Sequence, residues 1–422
     1  MKYVGIDWGG EVHVVALADA TGELLEEWEV EHTPGAIQAL LKHLKDKGGS
    51  AEICIAIEPG SPLLMTQLLH DGYALYPINP KQADRWRDRY CPSGAKDDRR
   101  DAIVLARALA SDIQHLQKLE PESDLSQELL FRAHARTRLV QQRVALGNRL
   151  RESLKRYYPM ILNLGRSAHD PFFLALLLAY PDAEKAARSH RGRIAKIIKK
   201  HRLRALSPDD VRAVLHGPAF PVAPADLAAH RDEAMDLVVQ IQELNKQVSQ
   251  SVERMEKLFE DHPDRVLLLS LKGMGIITAI RVGIGLGSNR VQRLEPSIIQ
   301  CHAGTAPVTK STGRKRRKGG QPRNYGTHRV LMRRCCDRDI QAGANQWAAG
   351  SMIGSRWAQA YYAQLREKGN RHNAALRALG NKWVKILVAV LKSREPYDEE
   401  RHIRDLVSAR VPWAQGLLPA EN

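Results

Sequence analysis

A chain of 422 residues with 43% hydrophobic residues is long and apolar enough for two or three domains with sizeable cores. No apolar run approaches the roughly 20 residues a membrane-spanning helix needs, and the opening Met1-Lys2-Tyr3-Val4-Gly5-Ile6-Asp7 enters a strand rather than a signal peptide. A net charge of +16, from 64 Lys and Arg against 48 Asp and Glu, favours a polyanionic partner such as nucleic acid over a membrane surface. The cysteines Cys54, Cys91, Cys301, Cys335 and Cys336 form no CxxC pair and no metal-ligand spacing, which reads as free thiols in a reducing cytoplasm.

Residues 2–6 predict a short strand ending at Asp7, residues 12–18 a second and residues 23–30 a third, together an antiparallel meander. Ile37, Leu40, Leu41 and Leu44 have helical spacing and predict a helix over 36–47. Residues 51–57 are largely apolar, the pattern of a strand buried in a sheet centre, and they end at Glu58. A helix over 62–71, a strand over 73–78 and a basic, aromatic segment with Arg85, Trp86 and Arg87 follow. Lys96-Asp97-Asp98-Arg99-Arg100-Asp101-Ala102 then opens a helix running to about 112. This order is that of a mixed α/β sheet.

Residues 126–158 and 227–259 read as two long helices, the first suited to a coiled coil. Between them, 160–226 is partly helical, with a basic cluster over 191–204 that fits nucleic-acid contact or a solvated helical hairpin equally well. Lys272-Gly273-Met274-Gly275 sits between two short helices, where glycines let backbone N–H groups approach a phosphate; a plain helix–helix turn is the simpler reading. A loop carrying Ser311, Thr312 and Gly313 leads into the basic run Arg314-Lys315-Arg316-Arg317-Lys318, and helices follow to about 392.

Asp7 and Glu58 end strands, where α/β sheets present functional groups, and Asp98 and Asp101 share a helix face three residues apart. A charged first turn explains acids at a helix start equally well. Taken together, four oxygen ligands from three elements suit one or two Mg²⁺ ions acting on a phosphodiester. Gly5-Ile6-Asp7-Trp8-Gly9-Gly10 also resembles the first phosphate loop of sugar-kinase and actin-like ATPases, but no good second phosphate loop follows. Ser311 beside the basic run suits attack on phosphorus, although spacing alone favours an ordinary turn serine.

Asp7, Glu58, Lys96-x-Asp98-Arg99-Arg100-Asp101-Ala102, Lys272-Gly273-Met274-Gly275 and Gly304–Gly313 with Ser311, followed by Tyr361-Tyr362 and Ala375-Leu376-Arg377-Ala378-Leu379, resemble the DEDD transposases of insertion-sequence 110 elements and the related Piv DNA invertases. The resemblance covers about 1–160 and 227–392. It implies an α/β RuvC-like RNase H fold over 1–112. It further implies a long helical coiled-coil linker over 113–263 with an inserted segment at about 160–226. A mainly α-helical C-terminal transposase domain over 264–392 and a peripheral tail over 393–422 complete it. It implies a site-specific recombinase in which Asp7, Glu58, Asp98 and Asp101 bind Mg²⁺ and Ser311 forms a covalent phosphoserine with DNA. Its partners would be double-stranded donor and target DNA, a structured guide RNA, and further copies of the chain in a homodimer or homotetramer with a composite site. In the family the serine directly precedes the glycine; Thr312 stands there, so Thr312 is the alternative nucleophile. Arg85, Trp86, Arg87, Arg99, Arg100, Lys272, Gly273, Gly275 and Arg314 to Lys318 are the expected nucleic-acid contacts. The rival functions are a metal-dependent RuvC-like nuclease or Holliday-junction resolvase without a covalent step, and a non-catalytic nucleic-acid-binding protein.

Overall fold

Five strands form the first sheet: β1 (Lys2–Trp8), β2 (Val12–Ala18), β3 (Leu24–Glu31), β4 (Ile53–Ile57) and β5 (Ala74–Pro77). The structure is a computed structural model describing residues 1–58, 62–90, 97–311, 316–318, 321–323 and 328–417, with backbone alone at 62, 316–318, 321–323 and 328. It divides into two units, Met1–Pro121 and Glu122–Asn422.

In the first unit the strand order is β3-β2-β1-β4-β5. β1–β2 and β2–β3 are antiparallel, as the meander predicts, while β1–β4 and β4–β5 are parallel. All five β4 residues are buried, as expected for a central strand. Alternation sorts the side chains onto two faces. Val4, Ile6, Val15, Leu17, Ile55 and Ile57 join Ile37, Leu40 and Leu44 of α1 (Pro34–Asp46) and Leu64 and Leu68 of α2 (Pro62–His70). The opposite face is built of small residues, Gly5, Ala16, Ala18 and Ala56.

That small-residue face admits a helix at very close range. A Cβ at Gly5 would collide with the Ala102 carbonyl oxygen and stand 2.5 Å from the Ala106 nitrogen. The helix is α4 (Asp98–Asp112), preceded by α3 (Pro80–Tyr90). Gly22, in the β2–β3 turn, faces Arg107 and Ala110 of the same helix. So α4 runs antiparallel to β1, and its first turn lies at the end where β1 reaches Asp7. Asp97 caps it, accepting from the Arg99 N–H, which accounts for the first acid of the charged stretch.

In the second unit the long helices α5 (Asp124–Tyr157) and α9 (Pro224–Glu260) pair with each other, antiparallel. Arg143 donates to Asn245 at 3.1 Å, Arg149 to Glu233 at 2.8 Å, and Ser153 to the His230 carbonyl at 3.2 Å. A separate core grows at each end. At one, Leu150, Leu154, Leu237 and Ile241 pack with α6 (Pro171–Ala179), α7 (Arg191–Lys200) and α8 (Pro208–Leu215). The segment 160–226 is therefore a packed helical cap, with Phe172, Phe173, Ile194 and Val211 inside.

At the other end, Leu129, Ala133, Met255 and Phe259 join the C-terminal core around Trp347, Trp357 and Trp383. That core is built from α10 (Arg265–Ser270), α11 (Pro296–His302), α12 (Arg338–Ser351), α13 (Arg356–Glu367), α14 (His372–Ser393) and α15 (Glu399–Ser408). The expected peripheral tail after 392 is instead part of this core. Ile403 is fully buried, Trp357 Nε1 donates to Tyr397 Oη at 2.8 Å, and Glu399 accepts from Ser355 Oγ at 2.7 Å. Where a loop was expected after Pro307 there are short strands. β6 (Val308–Ser311) pairs antiparallel with β9 (His328–Leu331), and β7 (Arg316–Lys318) with β8 (Gln321–Arg323).

Candidate active site and nucleic-acid interface

Ile6 of β1 lies opposite Ile57 of β4 in a parallel pair, so Asp7 and Glu58 come next at the same end of neighbouring strands. The first turn of α4, carrying Asp98 and Asp101, lies at that end as well. The topology thus brings all four predicted acids to one end of the sheet. They are not equivalent. Asp98 is exposed, while Asp101 is 7% exposed and fully engaged by Arg87 of α3. Arg87 Nε donates to Asp101 Oδ1 at 2.6 Å and Nη2 to Oδ2 at 2.8 Å, a bidentate fork. A third bond reaches Asp84 at 2.9 Å. Asp101 beside it pushes the Arg87 guanidinium above its already high pKa. Among the described residues, no three His, Cys, Asp or Glu side chains are grouped to hold a metal.

The basic segment before α4 divides by role. Trp86 is buried, and its Nε1 donates to Asp112 at 3.1 Å, so its ring anchors α3 to α4 instead of meeting a base. Ala83, Trp86 and Tyr90 lie at helical spacing on that face, a signal the sequence does carry. Arg87 is committed to Asp101, and Arg85 alone of the three expected contacts stays exposed. Arg100 is exposed too, whereas Arg99 reaches Glu27 at 3.5 Å and Glu29 at 3.6 Å on β3.

In the second unit, the Gly-x-Gly turn has a packing role. Gly273 has φ +75°, and a Cβ there would lie 2.5 Å from the Ser351 backbone at the end of α12. The Lys272 carbonyl accepts from Trp347 Nε1 at 3.0 Å, while the Lys272 side chain is exposed. Gly275 meets nothing within 4 Å and has an ordinary φ of −81°. Close packing against Ser351 is enough to require a glycine at 273.

Ser311 is exposed at the end of β6, opposite His328 of β9. Thr312, Gly313, Arg314 and Lys315 lie outside the described residues, and Arg316 to Lys318 contribute backbone to β7. One step before Ser311, Lys310 stands directly opposite Arg329, both exposed. Like charges facing each other across strands are destabilising unless an anion lies over them. At the foot of the ribbon, Thr305 is buried with its Oγ1 2.9 Å from Asn381 Oδ1. His302 sits 2.8 Å from Arg290 Nη1, and burial with that cation pushes its pKa down to about 4.

Two family descriptions match the sequence in chain order. One, described as Transposase and specific to the DEDD transposases of IS110, matches residues 4–159; the other, Transposase IS116/IS110/IS902 family, matches residues 265–334. The "Mini-circle putative transposase for IS117" of Streptomyces coelicolor is 30% identical over 416 residues, spanning 96% of this chain and 98% of that protein. The chain belongs to the IS110 family of transposases. As a transposase it is an enzyme that cuts and rejoins DNA. The "Insertion element IS900 uncharacterized 42 kDa protein" of Mycobacterium paratuberculosis is 25% identical over 411 residues, 94% of this chain and 96% of that one. The "Insertion element IS110 uncharacterized 43.6 kDa protein" of Streptomyces coelicolor is 23% identical over 406 residues, 94% and 95% of the two chains. The first match in this transposase holds the four acids and all of α5, and the second holds the Gly273 turn and Ser311. Among the described residues, no helix is long and apolar enough to cross a membrane.

Proposed function

We propose that this transposase is a site-specific DNA recombinase that cuts through the carboxylates Asp7, Glu58, Asp98 and Asp101 and holds the cut strand on Ser311. The observation that carries the reading is the convergence of Asp7, Glu58 and the first turn of α4 at one end of the sheet. The order β3-β2-β1-β4-β5 with β2 alone reversed supports a RuvC-like RNase H fold for this unit, and the antiparallel α5–α9 pair supports a coiled-coil linker. The donor set is all carboxylate oxygen, the ligand type that Mg²⁺ takes, so the residues fit that ion in kind. When bound by them, Mg²⁺ supplies charge neutralisation and orientation at the phosphodiester oxygens. Asp101 joins such a set only after Arg87 lets go of it.

Ser311 Oγ forms a bond to phosphorus as the bond to the leaving DNA oxygen breaks. One ester replaces another, so rejoining needs no outside energy source. Lys310 and Arg329 stand one register step from the serine, on the other face of the ribbon, and would draw the DNA backbone to it. The net charge of +16 supports a polyanionic partner; transposition makes duplex DNA one such partner, and the family resemblance adds a structured guide RNA. A homodimer or homotetramer would let carboxylates and serine of different copies meet.

A denaturing gel after incubation with Mg²⁺ and DNA carrying the element's ends tests this. The native chain should give a covalent adduct, Ser311→Ala none, and Asp98→Ala neither adduct nor cleavage. An adduct surviving in Ser311→Ala moves the nucleophile to Thr312. Cleavage with no adduct under any condition favours a RuvC-like nuclease or resolvase acting through water.

A further inference from the structure

At the foot of the β6–β9 ribbon lies a cavity of about 640 Å³ whose walls differ in character. One wall is apolar, from Pro307, Val330, Leu331 and Met332. The other is cationic, from Arg377, Lys382 and Lys385 of α14, and Arg333, whose Nε donates to the Ala306 carbonyl at 3.3 Å, lines the cavity as well. Arg377, Asn381 and Lys385 follow one another at four-residue steps and so share a helix face. No carboxylate lines the cavity, and none of these four cations has an acidic partner among the described residues. Lys382 is half-buried with its Nζ 4.7 Å from the Tyr361 ring centre, and desolvation with Lys385 nearby lowers its pKa. The Tyr361 and Trp413 rings offset part of the Lys382 charge, and an anion from outside would offset the rest of the cluster.

The volume suits a nucleotide-sized ligand. Its two-sided chemistry suits a unit with an anionic phosphate and a less polar sugar and base. Ser311 lies three residues beyond Val308 on β6, about 10 Å of strand, and Val308 pairs with the cavity-lining Leu331. At about 3.4 Å per step along one strand of a duplex, that distance is about three nucleotides. We propose that this cavity is a DNA phosphate site, engaging the strand that Ser311 attacks a few nucleotides from the reacting phosphate. The inference rests on Ser311 as the nucleophile for its choice of DNA over RNA.

The test measures equilibrium binding of a fluorescent duplex carrying the element's end, across a salt series, in the full-length Ser311→Ala chain so that no cutting intervenes. Each of Arg377→Gln and Lys385→Gln should reduce the slope of log affinity against log salt by about 0.9, the value for one lost phosphate contact on duplex DNA. Between 50 and 200 mM salt that is a difference of about threefold. Arg377→Lys, which keeps the charge, should restore the slope. Unchanged slopes in both Gln variants overturn the site. A changed affinity with an unchanged slope also overturns it, since a lost packing contact acts that way. If the slope changes only for the RNA that copurifies with the chain, the DNA assignment is overturned. Failure of Ser311 itself reads out separately, as an adduct that persists in Ser311→Ala.

Discussion

Arg87→Ala should destabilise the first unit and at the same time make it responsive to Mg²⁺. Arg87 places a bidentate fork on Asp101 at 2.6 and 2.8 Å, with Asp101 7% exposed and the Arg87 side chain 17% exposed. Removing one partner of a buried pair leaves the other charge without compensation and costs about 3–5 kcal/mol. Residual exposure and the loss of only a rim bond to Asp84 put this pair near the lower figure, about 3 kcal/mol. Urea denaturation followed by circular dichroism, with hydrogen exchange reporting α3 and α4, measures the loss. Saturating Mg²⁺ should then recover part of it. A cation present at about 100 times its dissociation constant adds about 2.7 kcal/mol, and Asp101 is open to it without competition only in the variant. The native chain should gain less, because Arg87 competes for the same oxygens. Equal stability of the two chains would mean that the pair contributes nothing. Equal protection by Mg²⁺ would mean that Arg87 and the metal do not compete for Asp101.

Gly5→Ala should unfold or loosen the first unit, because the new methyl meets the backbone of α4 at Ala102 and Ala106 and backbone cannot rotate away; the cost should exceed about 3 kcal/mol, read as loss of α4 amide protection. For His302 the sign follows from a folded pKa of about 4 against an ordinary value of 6.5. The unfolded chain binds the extra proton first, so stability is complete above pH 6.5 and falls as pH drops toward 4, by about 2–3 kcal/mol. His302→Gln should remove that part of the acid sensitivity, visible as a shallower fall in denaturation midpoint between those pH values; an identical pH profile refutes the assignment.

Period-two alternation and an unbroken apolar run made the sheet legible, and β1, β2, β4 and α1 lie where residues 2–57 predict them. Acids at strand ends were legible for the same reason, since a strand's end is visible in its pattern. Other features depend on partners distant in the chain. Trp86, among arginines, suits either stacking on a base or burial, and only the position of α4 over it decides for burial. The cations of α14 are visible in the sequence at helical spacing, but their shared cavity requires β9 to stand against them. The polar, basic character of residues 308–318 predicts a loop, and the ribbon of β6 with β9 forms only because residues 328–331 lie alongside.

The sequence by itself determined that this chain is a basic, multi-domain nucleic-acid enzyme of the IS110 kind, because strand periodicity, charge and ordered motifs are local properties. Only the tertiary structure decided what each charged group faces. Arg87 closes on Asp101 across fourteen residues, Gly273 yields to Ser351 across 78, and α5 finds its partner in α9 within the same chain. Such pairings depend on Coulomb and packing distances of a few ångströms, set by how helices lie on the sheet and on each other, and no spacing along the chain encodes them directly.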